Sequence, residues 1–204
     1  MRLTPCYIKN LLQNLTLEDK KQIMERSFYH SNHFYKIVLK IDERGNKLRL
    51  HYWKKKENFI QNPHNHGWSF ESLLLRGSLM DVHYVETEDK DCNLYEKYSM
   101  NLKIVDERYH CSFSTLARLR MENIKVMKTG EKYSYHQDKI HTSHPLEDGT
   151  ITVLLQTPQI RDENLIFKQI LQCFETEKHH QNISLEILNS IIEEVLSSLV
   201  ISKL

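Results

Sequence analysis

The 204-residue sequence predicts a mainly β domain, an antiparallel sandwich or barrel framed by helices at both ends of the chain. Three observations carry this. Short β-like runs follow one another from about residue 33 to 160, separated by Gly, Asp, Asn, Pro or charged residues instead of helix-length stretches. Apolar residues take a helical period only before residue 30 and after residue 161. The length suits one domain with helical additions.

Taken in order, residues 6–29 read as helix, with Ile8, Leu11, Leu12 and Leu15, then Ile23, Met24 and Phe28, at helical spacing. Thr16 followed by Asp19 has the form of a capping box opening a second helix. Phe34, Ile37, Leu39 and Ile41 then lead to the turn-like Glu43-Arg44-Gly45-Asn46, after which Leu48, Leu50 and Tyr52 alternate with polar neighbours. Further strand-like runs occupy 71–85, 93–100, 113–121, 123–128, 131–136 and 150–156. From Asp162 the period reads as helical again. Leu165, Phe167, Ile170, Leu171 and Phe174 suggest one helix, and Leu188, Ile191, Ile192, Val195, Leu196 and Leu199 form an i, i+3, i+4, i+7 stripe on a second. The expected organisation is a helical segment over 1–30, a barrel over 31–161 and a C-terminal helical hairpin over 162–204. The last stripe has two readings, a cover for the barrel flank or a homodimer contact.

Formal net charge is +1, with 28 Lys and Arg scattered among 27 Asp and Glu, so no basic face for nucleic acid is expected. Cys6, Cys92, Cys111 and Cys173 fall in no C-x-x-C pair, and are read as reduced thiols. With the N-terminal apolar residues broken by Lys9, Asn10, Gln13 and Asn14, and no run near the ~20 apolar residues of a membrane helix, a cytoplasmic protein is expected.

Spacing selects three of the twelve histidines. In Pro63-His64-Asn65-His66-Gly67 two imidazoles stand two residues apart, which on extended chain puts both on one face. An apolar run, Ser72-Leu73-Leu74-Leu75, follows and ends at Gly77, eleven residues after His66. A second set runs from Gly130 through His136 and Asp138 to His141. Together these segments resemble the two motifs of the cupin superfamily. In the first, HxH precedes a strand, an acidic ligand and a turn glycine. In the second, a glycine, a proline, a glycine and a ligating histidine keep the spacing found here, with His136 and Asp138 at the proline and second-glycine positions. The resemblance implies a double-stranded β-helix, or jelly-roll barrel, with a metal on His64, His66 and His141.

Counting from His66 places the acidic ligand at Glu71, whereas counting back from Gly77 reaches Phe70, and strand parity favours Phe70 as the inward residue. That leaves three neutral imidazoles and open positions for substrate and oxygen. Within the superfamily, residues 34–160 look most like the thiol dioxygenases of the cysteine dioxygenase type. The markers are Tyr52-Trp53 before the HxH, Leu73-Leu74-Leu75-Arg76-Gly77-Ser78-Leu79, Ile140-His141, and a last strand ending in Thr157-Pro158. That resemblance implies ferrous iron, with Zn, Ni or Mn as the alternatives, a small substrate and O2 as partners, and Lys36 as the cation facing a substrate carboxylate. Trp53, Trp68, Phe70, Leu74 and Tyr135 are candidate lining, Trp53 and Phe70 on the substrate side. The family's Ser-x-His-x-Tyr triad falls near Thr152–Gln156 and is not matched there. Tyr133 or Tyr135 can supply an inward hydroxyl instead, and Tyr135 and His136 are the candidate catalytic side chains. A non-catalytic ligand-binding cupin and a metal-dependent cupin isomerase are the rival readings.

Overall fold

A computed structural model of the chain describes residues 1–55, 61–101, 111–170 and 181–201. Two short helices open it, α1 (Pro5–Gln13) and α2 (Leu17–Glu25). The expected capping box closes reciprocally: the Asp19 amide donates to Thr16 Oγ1, and the Thr16 amide donates to the Asp19 carboxylate at 2.9 Å. The chain then lays down β1 (Phe28–His30), β2 (Phe34–Ile41), β3 (Lys47–Trp53), β4 (Phe70–Arg76), β5 (Ser78–Thr87), β6 (Asn93–Asn101), β7 (Cys111–Lys128), β8 (Lys132–Tyr135), β9 (Ile140–Pro145), β10 (Thr150–Gln156), β11 (Glu163–Gln169) and β12 (Gln181–Asn182). A long helix, α3 (Leu185–Ile201), follows.

The strands form two antiparallel sheets of order β12-β1-β2-β3-β10-β4-β8 and β11-β6-β7-β5-β9. Their inner faces meet in a cluster of Phe34, Trp53 and Leu74 from the first sheet with Leu79 and Met127 from the second. Gly77 carries the chain from β4 in one sheet to β5 in the other. Its φ is +81°, and a Cβ there would stand 2.5 Å from Thr150 Oγ1, so both conformation and space require glycine.

The main apolar core does not lie between the sheets. Leu48, Leu50, Tyr52, Leu73, Leu75, Ile151 and Val153 project from the other face of the seven-stranded sheet and pack under the helices, against Ile8, Leu12 and Ile23 and against Leu188, Ile191, Val195 and Leu199 of α3. The α3 stripe is thus buried within this chain. Arg76 anchors α3 further, its guanidinium 2.6 Å from Glu194, which also accepts from Tyr52 at 2.9 Å.

Two expectations are corrected. Residues 163–169, read as the first helix of a C-terminal hairpin, are strand β11, paired along β6 from Glu163↔Asn101 to Gln169↔Tyr95. Leu165 and Phe167, two residues apart, serve a strand's alternation as well as a helix's, and the β6 edge supplied backbone partners that decided between them. The barrel therefore extends past residue 161; Leu171 and Phe174 lie outside the described residues. Phe28, read as part of the N-terminal helical stripe, starts β1 instead. Cys6 and Cys92 are free, Cys173 lying outside the described residues, and no helix among the described residues is long and apolar enough to cross a membrane.

Leu188 has no solvent exposure at the junction of α3 with the sheet. Replacing it with Ala should cost about 2–4 kcal/mol, the range for emptying a closed aliphatic site, read as a lower urea midpoint with an unchanged slope.

Candidate metal centre

The HxH segment is not a ladder strand. It is extended chain threaded between β9 and β11 and held there by backbone hydrogen bonds. The His64 amide donates to His141 O at 3.1 Å and the His141 amide returns to His64 O at 2.9 Å. Asn65 donates its amide to Leu165 O, its side chain accepts from the Leu165 amide at 2.7 Å, and the Phe167 amide donates to Pro63 O at 2.8 Å. His66 donates its amide to Gln137 O, while Arg161 donates to the carbonyls of His66 (2.6 Å) and Gln137 (3.0 Å). The strand misread as helix is therefore one of the two walls that position the histidines.

This threading brings His64, His66 and His141 together, one donor atom from each lying within 4.8 Å of the others. Nε2 of His66 and Nε2 of His141 are 3.0 Å apart. Nitrogens sharing an ion at roughly 2.1 Å sit no more than about 4.2 Å from each other, so small side-chain rotations close the cluster on one metal. Tautomers favour the same outcome. His64 Nδ1 lies 3.0 Å from the carbonyl of Asn62, which can only accept, so Nδ1 carries the proton and Nε2 keeps its lone pair. Burial also keeps the ring uncharged, pushing the His64 pKa down to about 4 with His141 adding to the effect, and lowering His66 well below the ordinary histidine value. Neutral imidazole is the ligating form. His141 is buried while His64 and His66 keep partial exposure, so the cluster is reachable from solvent.

Behind His141 stands Asp81, on β5 and without solvent exposure. His141 Nδ1 donates to Asp81 Oδ1 at 3.1 Å, where the Ser143 hydroxyl also donates at 2.6 Å. The other oxygen takes Tyr135 OH and lies 2.7 Å from His83 Nε2. Burial opposes ionisation, yet the hydrogen bonds from His141, His83 and Ser143 outweigh it and hold the carboxyl well below the usual carboxylate range. Tyr135, buried beside that charge, has its hydroxyl pushed up and keeps its proton.

The predicted residues divide cleanly. Phe70 is buried with its ring 5.6 Å from that of His66, whereas Glu71 is exposed and sits 3.4 Å from Lys132, so among the described residues no carboxylate joins the three imidazoles. Tyr135 stands 4.8 Å from the His141 ring. Trp68 stacks on His66 at 5.3 Å. Lys36 lies on the inner face of β2, opposite His51 in register and 4.9 Å over the Phe28 ring. Two candidates do not join the site. Trp53 pairs with Thr150 at the end of β10 remote from Phe70, packs into the inner apolar cluster, and donates Nε1 to Thr152 at 3.2 Å. His136, one residue past the end of β8, has a side chain 68% exposed and pairs with Asp138 instead. It directly follows the inward-facing Tyr135, so strand alternation turns it to the solvent side.

Three residues of the site escape a sequence reading. Asp81 and His83 share the inward parity of Leu79 in an apolar strand, and a lone charge at such a position was the available signal. Arg49, 6% exposed, lies on the inner face of β3 with its guanidinium 5.0 Å over Trp68. It alternates with Leu48 and Leu50, a pattern that ordinarily marks an outward polar residue.

The two facing antiparallel sheets, with helices at both ends of the chain, form the mainly β architecture expected from the sequence. No family model matches the chain, and no curated protein does. Among solved structures, it is similar to a cupin-2 domain containing protein from Shewanella frigidimarina, with a TM-score of 0.34 and 10% identity over 72% of this chain and 95% of that one. A Drosophila melanogaster CENP-C structure, bound to CAL1, aligns with a TM-score of 0.33 and 9% identity over 72% of this chain and 94% of that one. The assignment of fold rests on strand order and register, not on these likenesses.

Because His51, His64 and His66 are all held uncharged by burial, the metal-free protein should lose stability as pH falls below about 6.5. In that window the unfolded histidines bind protons that the folded ones exclude, so stability rises with pH. For His64, shifted to about 4, the loss between pH 7 and pH 5 is about 2 kcal/mol, measurable by urea denaturation at the two pH values.

Proposed function

We propose that the protein is a mononuclear non-haem iron oxygenase of the thiol-dioxygenase kind, acting on a small carboxylate-bearing thiol or amino-acid-like substrate. The observation that carries the reading is the convergence of His64, His66 and His141 with Phe70, and not Glu71, turned toward them. Three imidazole nitrogen donors, with Glu71 turned away, suit a divalent ion that keeps coordination positions for other molecules. When bound, ferrous iron supplies the redox chemistry by which both atoms of O2 are added to a substrate sulfur, taking RSH to RSO2H.

The chain's own part is binding, orientation and exclusion of water. Arg49 and Lys36 put positive charge on the inner wall, close enough to His66 to help keep that ring unprotonated. Arg49 retains its charge and offers the planar fork that matches a carboxylate. Lys36, its pKa lowered by burial and by Arg49 and Lys47, recovers a full charge beside an anion. Phe70 and Trp68 give the cluster apolar flanks, and Tyr135, proton in place, is held 4.8 Å from the His141 ring.

Metal analysis of protein purified without added metal, with oxygen uptake in the presence of small thiols and amino acids, tests the reading. The expected result is near-stoichiometric iron in the wild type, its loss in His64→Ala and His141→Ala, and thiol-dependent oxygen uptake. Arg49→Leu should raise the KM for a carboxylate substrate more than tenfold with retained iron, since a charge-assisted hydrogen bond is worth about 1.5–3 kcal/mol. A folded wild type that takes up no metal would favour the non-catalytic binding module, and one that binds metal but consumes no oxygen would favour the isomerase.

A further inference from the structure

The acid that the motif places next to the histidines is turned to solvent as Glu71, yet the chain buries a different carboxylate against one of them. Among the described residues, Asp81 is the one fully buried Asp or Glu. An ionised carboxylate has about four lone-pair sites. Here four groups face it: His141 Nδ1 and Ser143 Oγ at Oδ1, and His83 Nε2 and Tyr135 OH at Oδ2. These come from both sheets, β8 on one side and β9 and β5 on the other. Such a carboxylate is fixed in place, and of the three metal-facing imidazoles it touches that of His141. Being an acceptor only, it commits His141 Nδ1 to carrying a proton, so that Nε2, the atom 3.0 Å from His66 Nε2, is the nitrogen of that ring that faces the cluster and would ligate an ion.

We infer that Asp81 is the charge partner of the metal site: the negative charge that a fourth, acidic ligand would bring is supplied one imidazole away, through His141. Asp81 is then a positioning residue. It fixes the tautomer and orientation of His141 and raises that ring's basicity toward the ion, while leaving the coordination position of a carboxylate ligand open. The inference rests on the metal reading proposed above and goes further, since three imidazoles alone would leave a divalent ion with its full charge.

The test uses Zn2+ in competition with a chromophoric chelator, and Co2+ for its visible absorption. Asp81→Asn keeps the side chain's shape and removes its charge. It should weaken Zn2+ binding about 10- to 100-fold and shift the Co2+ bands, as loss of the partner behind a ligating histidine does. Glu71→Gln, at the position the motif marks for an acidic ligand, should leave affinity and spectrum as in the wild type. An Asp81→Asn protein that is folded and binds both ions as tightly as wild type, with the same Co2+ spectrum, overturns the inference and leaves the metal site standing. A wild type that takes up neither ion overturns both. Should Asp81→Asn fail to fold, side-chain 15N–1H spectra of zinc-loaded wild type decide the matter. One slowly exchanging, strongly downfield Nδ1–H, assigned to His141 by its loss in His141→Gln, is expected; its absence overturns the inference.

Discussion

The seven-stranded sheet turns its continuous apolar face away from the barrel and toward the helices, and the rest of the structure depends on that choice. Ile37, Leu48, Leu50, Leu73, Leu75, Ile151 and Val153 form one side of a core that α1, α2 and α3 close from the other. Each such side chain withdrawn from water contributes about 1.5–3 kcal/mol, so the helices and this face supply a large part of the stability. The inner face is thereby relieved of making the core. It carries Lys36, Arg49, His51, Ser72, Thr152 and Gln156, groups whose burial is costly and which a barrel stabilised from within would exclude. α3 is thus more than an appendage, because without it the sheet would have to bury its apolar face elsewhere.

Within that polar interior the site is held by backbone more than by side chains. Pro63, His64, Asn65 and His66 are pinned by β9 on one side, β11 on the other and the Gln137 carbonyl at the end. Arg161 fastens the last of these contacts. Side-chain rotation is limited in turn by stacking, as His66 lies against Trp68, and by the hydrogen bonds at the Nδ1 atoms of His64 and His141. Convergence of three imidazoles is the consequence, and the neutrality of His64 and His66 follows from the same burial that makes the uncoordinated site costly.

Much of this was legible in the residues. The HxH pair and the spacing from Gly130 to His141 picked three histidines out of twelve, because the separation of ligands along the chain reflects the geometry of strand and turn. Parity separated Phe70 from Glu71 for the same reason, since neighbours on a strand face opposite ways. The capping box at Thr16 and the stripe on α3 are local patterns, and they appear as read. Gly77 marks a turn that only a residue free of Cβ can make beside Thr150.

What the sequence by itself determined was periodicity: which residues share a face, where strands give way to helix, and which histidines can meet. Only the tertiary structure decided which face is inside. Alternation makes Leu48 and Leu50 opposite to Arg49 and His51, but it does not say whether helices or a barrel interior will cover the apolar side. The helices took that side, and Arg49 and His51 went in. The same holds for Glu163–Gln169, where two apolar residues two apart fit either period until the free edge of β6 offered hydrogen-bond partners. It holds for Asp81, whose burial is tolerable only because donors from β5, β8 and β9 meet at its two oxygens. A period is a property of neighbours along the chain, whereas burial depends on what arrives from far away.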